Sequence, residues 1–196
     1  MKTIIIDSAT NILYTAFLED EQVVFESYIP GKNDHASAIV VEIEKALKKA
    51  GTELSKMDRV VVGVGPGSYT GVRMAVTVGK MIATLEASIK LYTISTLVLM
   101  ASGKHGKVLA TIDARRGNCF GCIYDMEKMS YIENEAFQEV SILESKEYDV
   151  RVCENDYLVD PILVCKLATP VLEPRLLTPH YLRDTEAERN LYAKKI

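Results

Sequence analysis

Ile6-Asp7-Ser8-Ala9-Thr10-Asn11, near the start of the chain, and Ile112-Asp113-Ala114-Arg115-Arg116-Gly117, 106 positions later, each end an apolar run with an aspartate and a short polar turn. A second run follows each turn. The first carries Tyr14, Ala16 and Phe17, and the second carries Phe120, Cys122 and Ile123. A constant shift of 106 lays Asp7 on Asp113, Tyr14 on Phe120 and Phe17 on Ile123. This pattern reads as a duplication, with two related lobes divided near Ser102–Gly106. Two unrelated hairpins would also look alike, so the order of the surrounding elements has to support the repeat.

Thr3 to Ile6, Ile12 to Leu18 and Val23 to Ile29 read as three strands joined by short turns, hence antiparallel neighbours. Pro30 to Asp34 is a loop, and Asp34 is placed to cap a helix from about His35 to Ala50. Ala36, Ile39, Val40, Ile43, Ala46, Leu47 and Ala50 fall within an arc of about 120° on that helix, and Gly51 ends it. Val60 to Val64 is continuously apolar and predicts a strand buried on both faces. A helix from Gly71 to Leu85, a strand from Leu91 to Ile94 and a helix from Thr96 to Ala101 follow. The order β-β-β-α-β-α-β is that of a ribonuclease-H-like half. Doubled, it gives an α/β, two-lobed actin-like fold with duplicated βββαβα lobes, the second reduced. We expect lobes at 1–103 and 104–196, with the last residues returning to the first lobe.

The chain has 196 residues, of which 48% are hydrophobic and 26% charged, and a net charge of −4. That length buries roughly 70% of the unfolded surface. A mildly acidic protein is a poor stand-alone nucleic-acid binder, since phosphate contacts need clustered cations. Lys48-Lys49, Arg115-Arg116 and Lys194-Lys195 read as solvated surface. No apolar run reaches the ~18 residues of a membrane span, and the opening run is too short for a signal peptide. The cytoplasm is the expected location.

Cys119-Phe-Gly-Cys122 has redox or zinc spacing. Within a strand, however, the odd separation puts the two thiols on opposite faces. No second close pair or nearby histidine completes a zinc set, so core thiols are expected. His35, His105 and His180 are isolated, and neither a metal site nor a catalytic set is legible. In two-lobed ATPases an aspartate in each lobe serves metal and phosphate, and Asp7 and Asp113 are candidates for vestiges of that role. All eleven glycines, however, lie at or before Gly121. Close backbone approach to a nucleotide in the second lobe is therefore not provided for. No cofactor is expected. A nuclease would need converging carboxylates, and Val60 to Val64 carries none. An ATP-dependent small-molecule kinase of the same fold stays as the alternative function.

Gly65-Pro66-Gly67-Ser68-Tyr69-Thr70-Gly71 opens a helix and is either an anion-binding loop or a tight structural turn. Gly65, Gly67, Ser68, Gly71 and Arg73 are the candidate anion ligands. It is not a Walker A loop, because Val72-Arg73 stands where Lys and Ser/Thr belong. The helix that follows has an apolar arc of about 220°, about twice what one sheet covers. Val72, Ala75, Val76, Gly79, Ile82 and Ala83 form a small-residue face. Met74, Val78, Met81 and Leu85 form a second face. That second face is covered either by the rest of the chain or by a protein partner.

Gly65-Pro66-Gly67-Ser68-Tyr69-Thr70-Gly71-Val72-Arg73 is similar to the GPGSFTGLR signature of the TsaB (YeaZ) family. Ile6-Asp7-Ser8-Ala9-Thr10 resembles that family's opening IDTST, Ile112 to Gly117 its DARMGE region, and Pro179-His180-Tyr181-Leu182-Arg183 its late P-x-YLR. The resemblance implies a non-catalytic subunit that binds the catalytic paralogue TsaD and works with the ATPase TsaE. Together they support threonylcarbamoyl transfer to N6 of adenosine 37 in tRNAs reading ANN codons. It also implies that the first two long helices pack on those of TsaD, that the same surface forms homodimers, and that tRNA is reached indirectly through the complex. Ile39, Ile43, Val72, Met74, Val76, Val78, Met81 and Leu85 are the expected partner interface. The metal-binding HxxxH of TsaD has no counterpart in Thr96-Leu97-Val98-Leu99-Met100-Ala101, so catalysis is not carried over. His35-Ala36-Ser37 lacks the Glu of the usual HSE, Arg116-Gly117-Asn118 replaces MGE, and the second lobe is short. No protease constellation supports the family's older glycoprotease label.

Overall fold

Alternating apolar residues give the first three strands one face for each of two cores. The computed structural model, which describes residues 1–31 and 35–183, shows both faces in use. The expected Asp34 cap, the side chains of His35-Ala36-Ser37, and Lys194-Lys195 lie outside the described residues. Strands β1 (Lys2–Asp7), β2 (Ile12–Glu19) and β3 (Gln22–Pro30) form an antiparallel meander. Helix α1 (His35–Lys49) leads to β4 (Arg59–Gly63), which lies parallel to β1. Helix α2 (Tyr69–Leu85) then leads to β5 (Lys90–Ile94), parallel to β4, and α3 (Thr96–Ala101) closes the first half.

The second half repeats the plan with β6 (Lys107–Asp113), β7 (Asn118–Asp125), β8 (Ser130–Glu139), α4 (Val140–Glu144) and β9 (Val150–Cys153). Helix α5 (Pro161–Leu167) follows, and β10 (Thr169–Pro170) returns to pair with β5. The sheets run β10-β5-β4-β1-β2-β3 and β8-β7-β6-β9. The second order matches β3-β2-β1-β4 of the first, so among the described residues the second lobe is the smaller, without counterparts of α2 and β5.

The constant shift of 106 needs a correction. Ile4, Ile6, Leu13 and Phe17 face the core beneath α1 and α2, and Leu109, Cys119 and Ile123 face Leu143 of α4. Ile5, Tyr14, Ala16 and Leu18 meet Val108, Ala110, Ile112, Cys122 and Tyr124 in a core common to both lobes. Matching face to face, β2 maps on β7 at 106 but β1 maps on β6 at 105. The pairing agrees, since Asp7 lies opposite Tyr14 and Asp113 opposite Cys119. The second turn is one residue longer, with six residues between the paired Asp7 and Tyr14 and seven between the paired Ile112 and Phe120, and a one-residue slip reverses the face of every side chain. Asp113 therefore stands where Ser8 does, and Ile112 is the counterpart of Asp7.

The common core is closed by exchange, for α3 packs on β6, β7 and β9 while α5 packs on β2 and β3. Arg59 fastens α5 from beneath. Its guanidinium donates to the Cys165 carbonyl in the last turn of α5 at 3.2 Å and to Thr3 Oγ1 at 3.2 Å, 5.0 Å from the Tyr92 ring centroid. A cation on the free carbonyls of a helix end is favourable in both hydrogen bonding and dipole.

Two helix readings shift. The second helix begins at Tyr69, two residues before the expected Gly71, because Ser68 Oγ accepts from the Gly71 amide and caps it. On α1, Ile39, Ile43 and Ala46 are buried as their spacing requires, but Val40, placed on the same arc, is 60% exposed. Glu42, placed outside that arc by the helical spacing, is buried instead, its carboxylate held by Lys45 at 2.6 Å. The buried arc of α1 is thus rotated away from Val40 and toward Glu42.

Candidate functional site

Three segments meet at Asp7, which is wholly buried at the end of β1. The Thr96 hydroxyl at the start of α3 donates to Asp7 Oδ2 at 2.6 Å and receives the Gly65 amide at 3.2 Å. The Ala9 amide donates to Asp7 Oδ1 at 3.0 Å. Gly63 presses on the carboxylate so closely that a Cβ there would lie 1.7 Å from Oδ2. Burial pushes the Asp7 carboxyl above its ordinary range, and the Thr96 and Ala9 hydrogen bonds oppose that shift. Across the lobe boundary, Thr10 Oγ1 and the Tyr157 hydroxyl share a hydrogen bond of 3.1 Å. A carboxylate enclosed in this way ties the turn, the glycine loop and α3 together. It does not face a space that a metal or phosphate would enter.

The glycine loop lies against the same turn. The Ser68 amide donates to the Ala9 carbonyl at 2.7 Å and the Ser8 hydroxyl to the Gly71 carbonyl at 2.7 Å. A Cβ at Gly67 would lie 2.3 Å from the Ala9 oxygen, and one at Gly71 1.9 Å from the Ser8 oxygen. The amides of Gly65, Ser68 and Gly71 are thus engaged within the chain. Arg73 bonds the Tyr69 hydroxyl at 3.0 Å and lies over its ring, while Tyr69 stacks on Tyr181 at 5.1 Å. The candidate anion ligands come together, but the geometry they make is that of a strand-to-helix turn packed on its neighbour.

Asp113 is exposed on the α4 side of its strand, and its Oδ1 accepts the Arg115 amide at 2.9 Å. The two aspartates thus differ in face, burial and partners. Cys119 and Cys122 lie in different cores, on opposite faces of β7, and burial pushes both thiols up. All four cysteines are free, and among the described residues no three His, Cys, Asp or Glu side chains converge as metal ligands.

The expected interface residues divide in two. Ile39, Ile43, Val72 and Val76 are at most 9% exposed and belong to cores of the chain itself. Ile43, Val72 and Val76 support the surface from below rather than forming it, because β2, β4 and the Ala9 turn lie on their side of the helices. Met74 and Val78 are half-buried, and Met81 and Leu85 are 55% and 75% exposed. Between α1 and α2 an open groove of about 410 Å³ has Ile39, Tyr69, Arg73, Met74, Thr77 and Val78 along its walls. Sequence periodicity passed over Tyr69 and Thr77, which sit on the polar side or the first turn of the helix. Val40 and Val41 of α1 are exposed as well. A strap of residues 169–183 lies along the first lobe. There Lys80 Nζ donates to the Leu177 carbonyl at 2.9 Å and the His180 amide to the Val64 carbonyl at 2.8 Å. His180 and Arg183 also reach the second lobe, at Glu135 (3.2 Å) and over the Phe137 ring (4.3 Å).

Two duplicated lobes sharing one core, with a sealed aspartate and an apolar helix face turned outward, define an actin-like protein of the reduced, two-lobed kind. A structure of YeaZ from Pseudomonas aeruginosa superposes with a TM-score of 0.78 over 92% of this chain and 99% of that one, at 20% identity. A family model described as TsaD, tRNA N6-adenosine threonylcarbamoyltransferase, matches residues 30–160. The tRNA threonylcarbamoyladenosine biosynthesis protein TsaB of Escherichia coli is 32% identical over 133 residues, covering 65% of this chain and 57% of that protein. TsaB of Bacillus subtilis is 32% identical over 127 residues, covering 63% and 55%. The chain belongs to this family, on its TsaB (YeaZ) branch. Its matching region spans a little over half the length of these curated relatives.

Proposed function

We propose that this chain is a non-catalytic subunit that binds the catalytic protein TsaD, in company with the ATPase TsaE, and so supports threonylcarbamoyl transfer to adenosine 37 of tRNA in the cytoplasm. The names of its relatives support the process. Among the described residues no helix is long and apolar enough to cross a membrane. The observation that carries the docking role is the outer face of α2. Its inner face is sealed, yet Met81 and Leu85 stay largely in water. At ~25 cal/mol per Å², covering such side chains is worth a few kcal/mol to whatever partner does so. TsaD is a partner of matching build, since the model of its family fits this chain, and like surfaces suit a helix-on-helix pairing. In its absence, a second copy of this chain occupies the same face as a homodimer. Asp7 in this reading is a structural remnant, which its enclosure by Thr96, Ala9 and Gly63 supports.

The test is co-purification of TsaD with Met81→Glu and Leu85→Glu, both on the open face. Loss of the complex, with an unchanged melting temperature of the isolated variants, is expected. Full retention by both variants would sink the reading. Val76→Glu is unsuitable, because Val76 is 3% exposed and a charge there unfolds the chain.

A further inference from the structure

The turn between β6 and β7 is built in an unusual way. Arg115, Arg116 and Gly117 follow one another with φ of 67°, 56° and 75°. Left-handed backbone suits glycine, but it is disfavoured for a long side chain and rarer still at two in succession. The surroundings hold it in place. The Arg115 amide donates to Asp113 Oδ1, the Ala114 amide to the Asn118 carbonyl at 2.9 Å, and the Asn118 amide to the Arg115 carbonyl at 3.1 Å. Asn118 Nδ2 donates to the Arg116 carbonyl at 3.2 Å, and the Val140 amide, at the start of α4, to the Gly117 carbonyl at 3.0 Å. Both arginines are exposed, and among the described residues neither guanidinium has a hydrogen-bond or ion-pair partner. Strain of this kind persists only where the structure over-determines it, and it is a pointer to use.

The hollow behind the turn, about 310 Å³, is not itself an anion site. Asp113 and Glu154 line it, and its one cation, Arg151, is paired with Glu144. Around this hollow, among the described residues, the cations without a partner are those of the tip, Arg115 and Arg116. A guanidinium is planar, permanently charged and matched to two phosphate oxygens at once.

We propose that this tip is a contact for the phosphate backbone of RNA, with Arg115 and Arg116 each engaging a phosphate. The proposal rests on the reading that the chain works in a tRNA-modifying complex. The net charge of −4 means that the tip acts as part of that assembly and not alone. It replaces the reading of this pair as merely solvated surface, because a solvated pair has no need of a rigid left-handed turn.

The experiment measures tRNA affinity of the complex with TsaD from 50 to 200 mM salt, for wild type and for Arg115→Gln/Arg116→Gln. Each lost phosphate contact lowers the slope of log K against log salt by ~0.7–0.9, so the double variant should be shallower by about 1.4–1.8. Over that range the wild type then loses roughly 7- to 12-fold more affinity than the variant. Arg115→Lys/Arg116→Lys, which keeps the charge, should keep most of the slope. An intact complex of the Gln variant with an unchanged slope overturns the proposal alone. A wild-type chain that never joins the complex overturns the functional reading and this proposal with it. Equal loss of slope in the Lys and Gln variants, with lowered melting temperatures, assigns the turn to folding and overturns it too.

Discussion

Asp7 shows how much one residue's environment decides. Its identity and place in the sequence suggest phosphate chemistry, whereas in the structure it is wholly buried and hydrogen-bonded to Thr96 and Ala9. Its folded pKa lies above the unfolded one, so the native state holds the proton more tightly than the unfolded chain does. Stability from this group is therefore greatest below the unfolded value and falls as pH rises toward the folded value. Asp7→Asn removes that dependence and keeps an acceptor for the Ala9 amide. In denaturant melts at pH 4.5 and pH 7.5, the loss of stability on going to the higher pH should be smaller for Asp7→Asn than for wild type. An equal or larger loss would contradict the enclosed carboxyl. The thiols behave in kind. Burial pushes Cys119 and Cys122 up and keeps them from solvent, so a thiol reagent should modify them only as fast as the protein opens. Modification of either at the rate of an exposed thiol, read by peptide mass, would refute their placement in the cores.

At the scale of elements, helix α2 separates what sequence can specify from what it cannot. The width of its apolar arc was legible, because helical spacing fixes which residues share a face. Which of the two faces is sealed inside depends on where the sheet lies, and that is a property of the assembled lobe. Ile39, Val72 and Val76 therefore joined the expected interface although they are core residues, and Val40 and Val41 were left off it although they are exposed. The strands are legible because alternation is a local signal. The hairpin register is not, because one extra residue in the second turn moves Asp113 to the opposite face without altering the look of the sequence. Glycine packing makes a sharp test of the element contacts. At Gly79, a Cβ would lie 2.5 Å from Val62 Cγ1, within a helix already close on β4. Gly79→Ala gains helix propensity of about 1 kcal/mol, but overpacking against a buried strand costs typically ~1–3 kcal/mol. A net loss of stability is expected from chemical denaturation. A gain would mean that α2 can lift from the sheet.

Across the whole molecule, the two lobes share the core that neither completes alone. Ile5, Tyr14, Ala16 and Leu18 of the first sheet are covered by residues from the second half, and α3 and α5 each lie on the other lobe's sheet. Helix exchange of this kind leaves no trace in local patterning, since α3 and α5 are short and apolar whichever sheet they meet. The strap and Arg59 add further fastening, the first along α2 and β5, the second at the end of α5. We therefore expect a division near residue 103 to mark a repeat boundary and not a boundary of independent folding. Separating the halves there would expose the common face of each sheet, an apolar surface far beyond what a soluble monomer tolerates. The chain should unfold in one transition, with far-ultraviolet dichroism and tyrosine fluorescence tracing the same curve. Residues 1–103 expressed alone should fail to give a cooperative melt. If that fragment melted sharply by itself, or the two probes separated in the full chain, the lobes would be distinct folding units, and the docking face on α1 and α2 would stand on the first lobe alone.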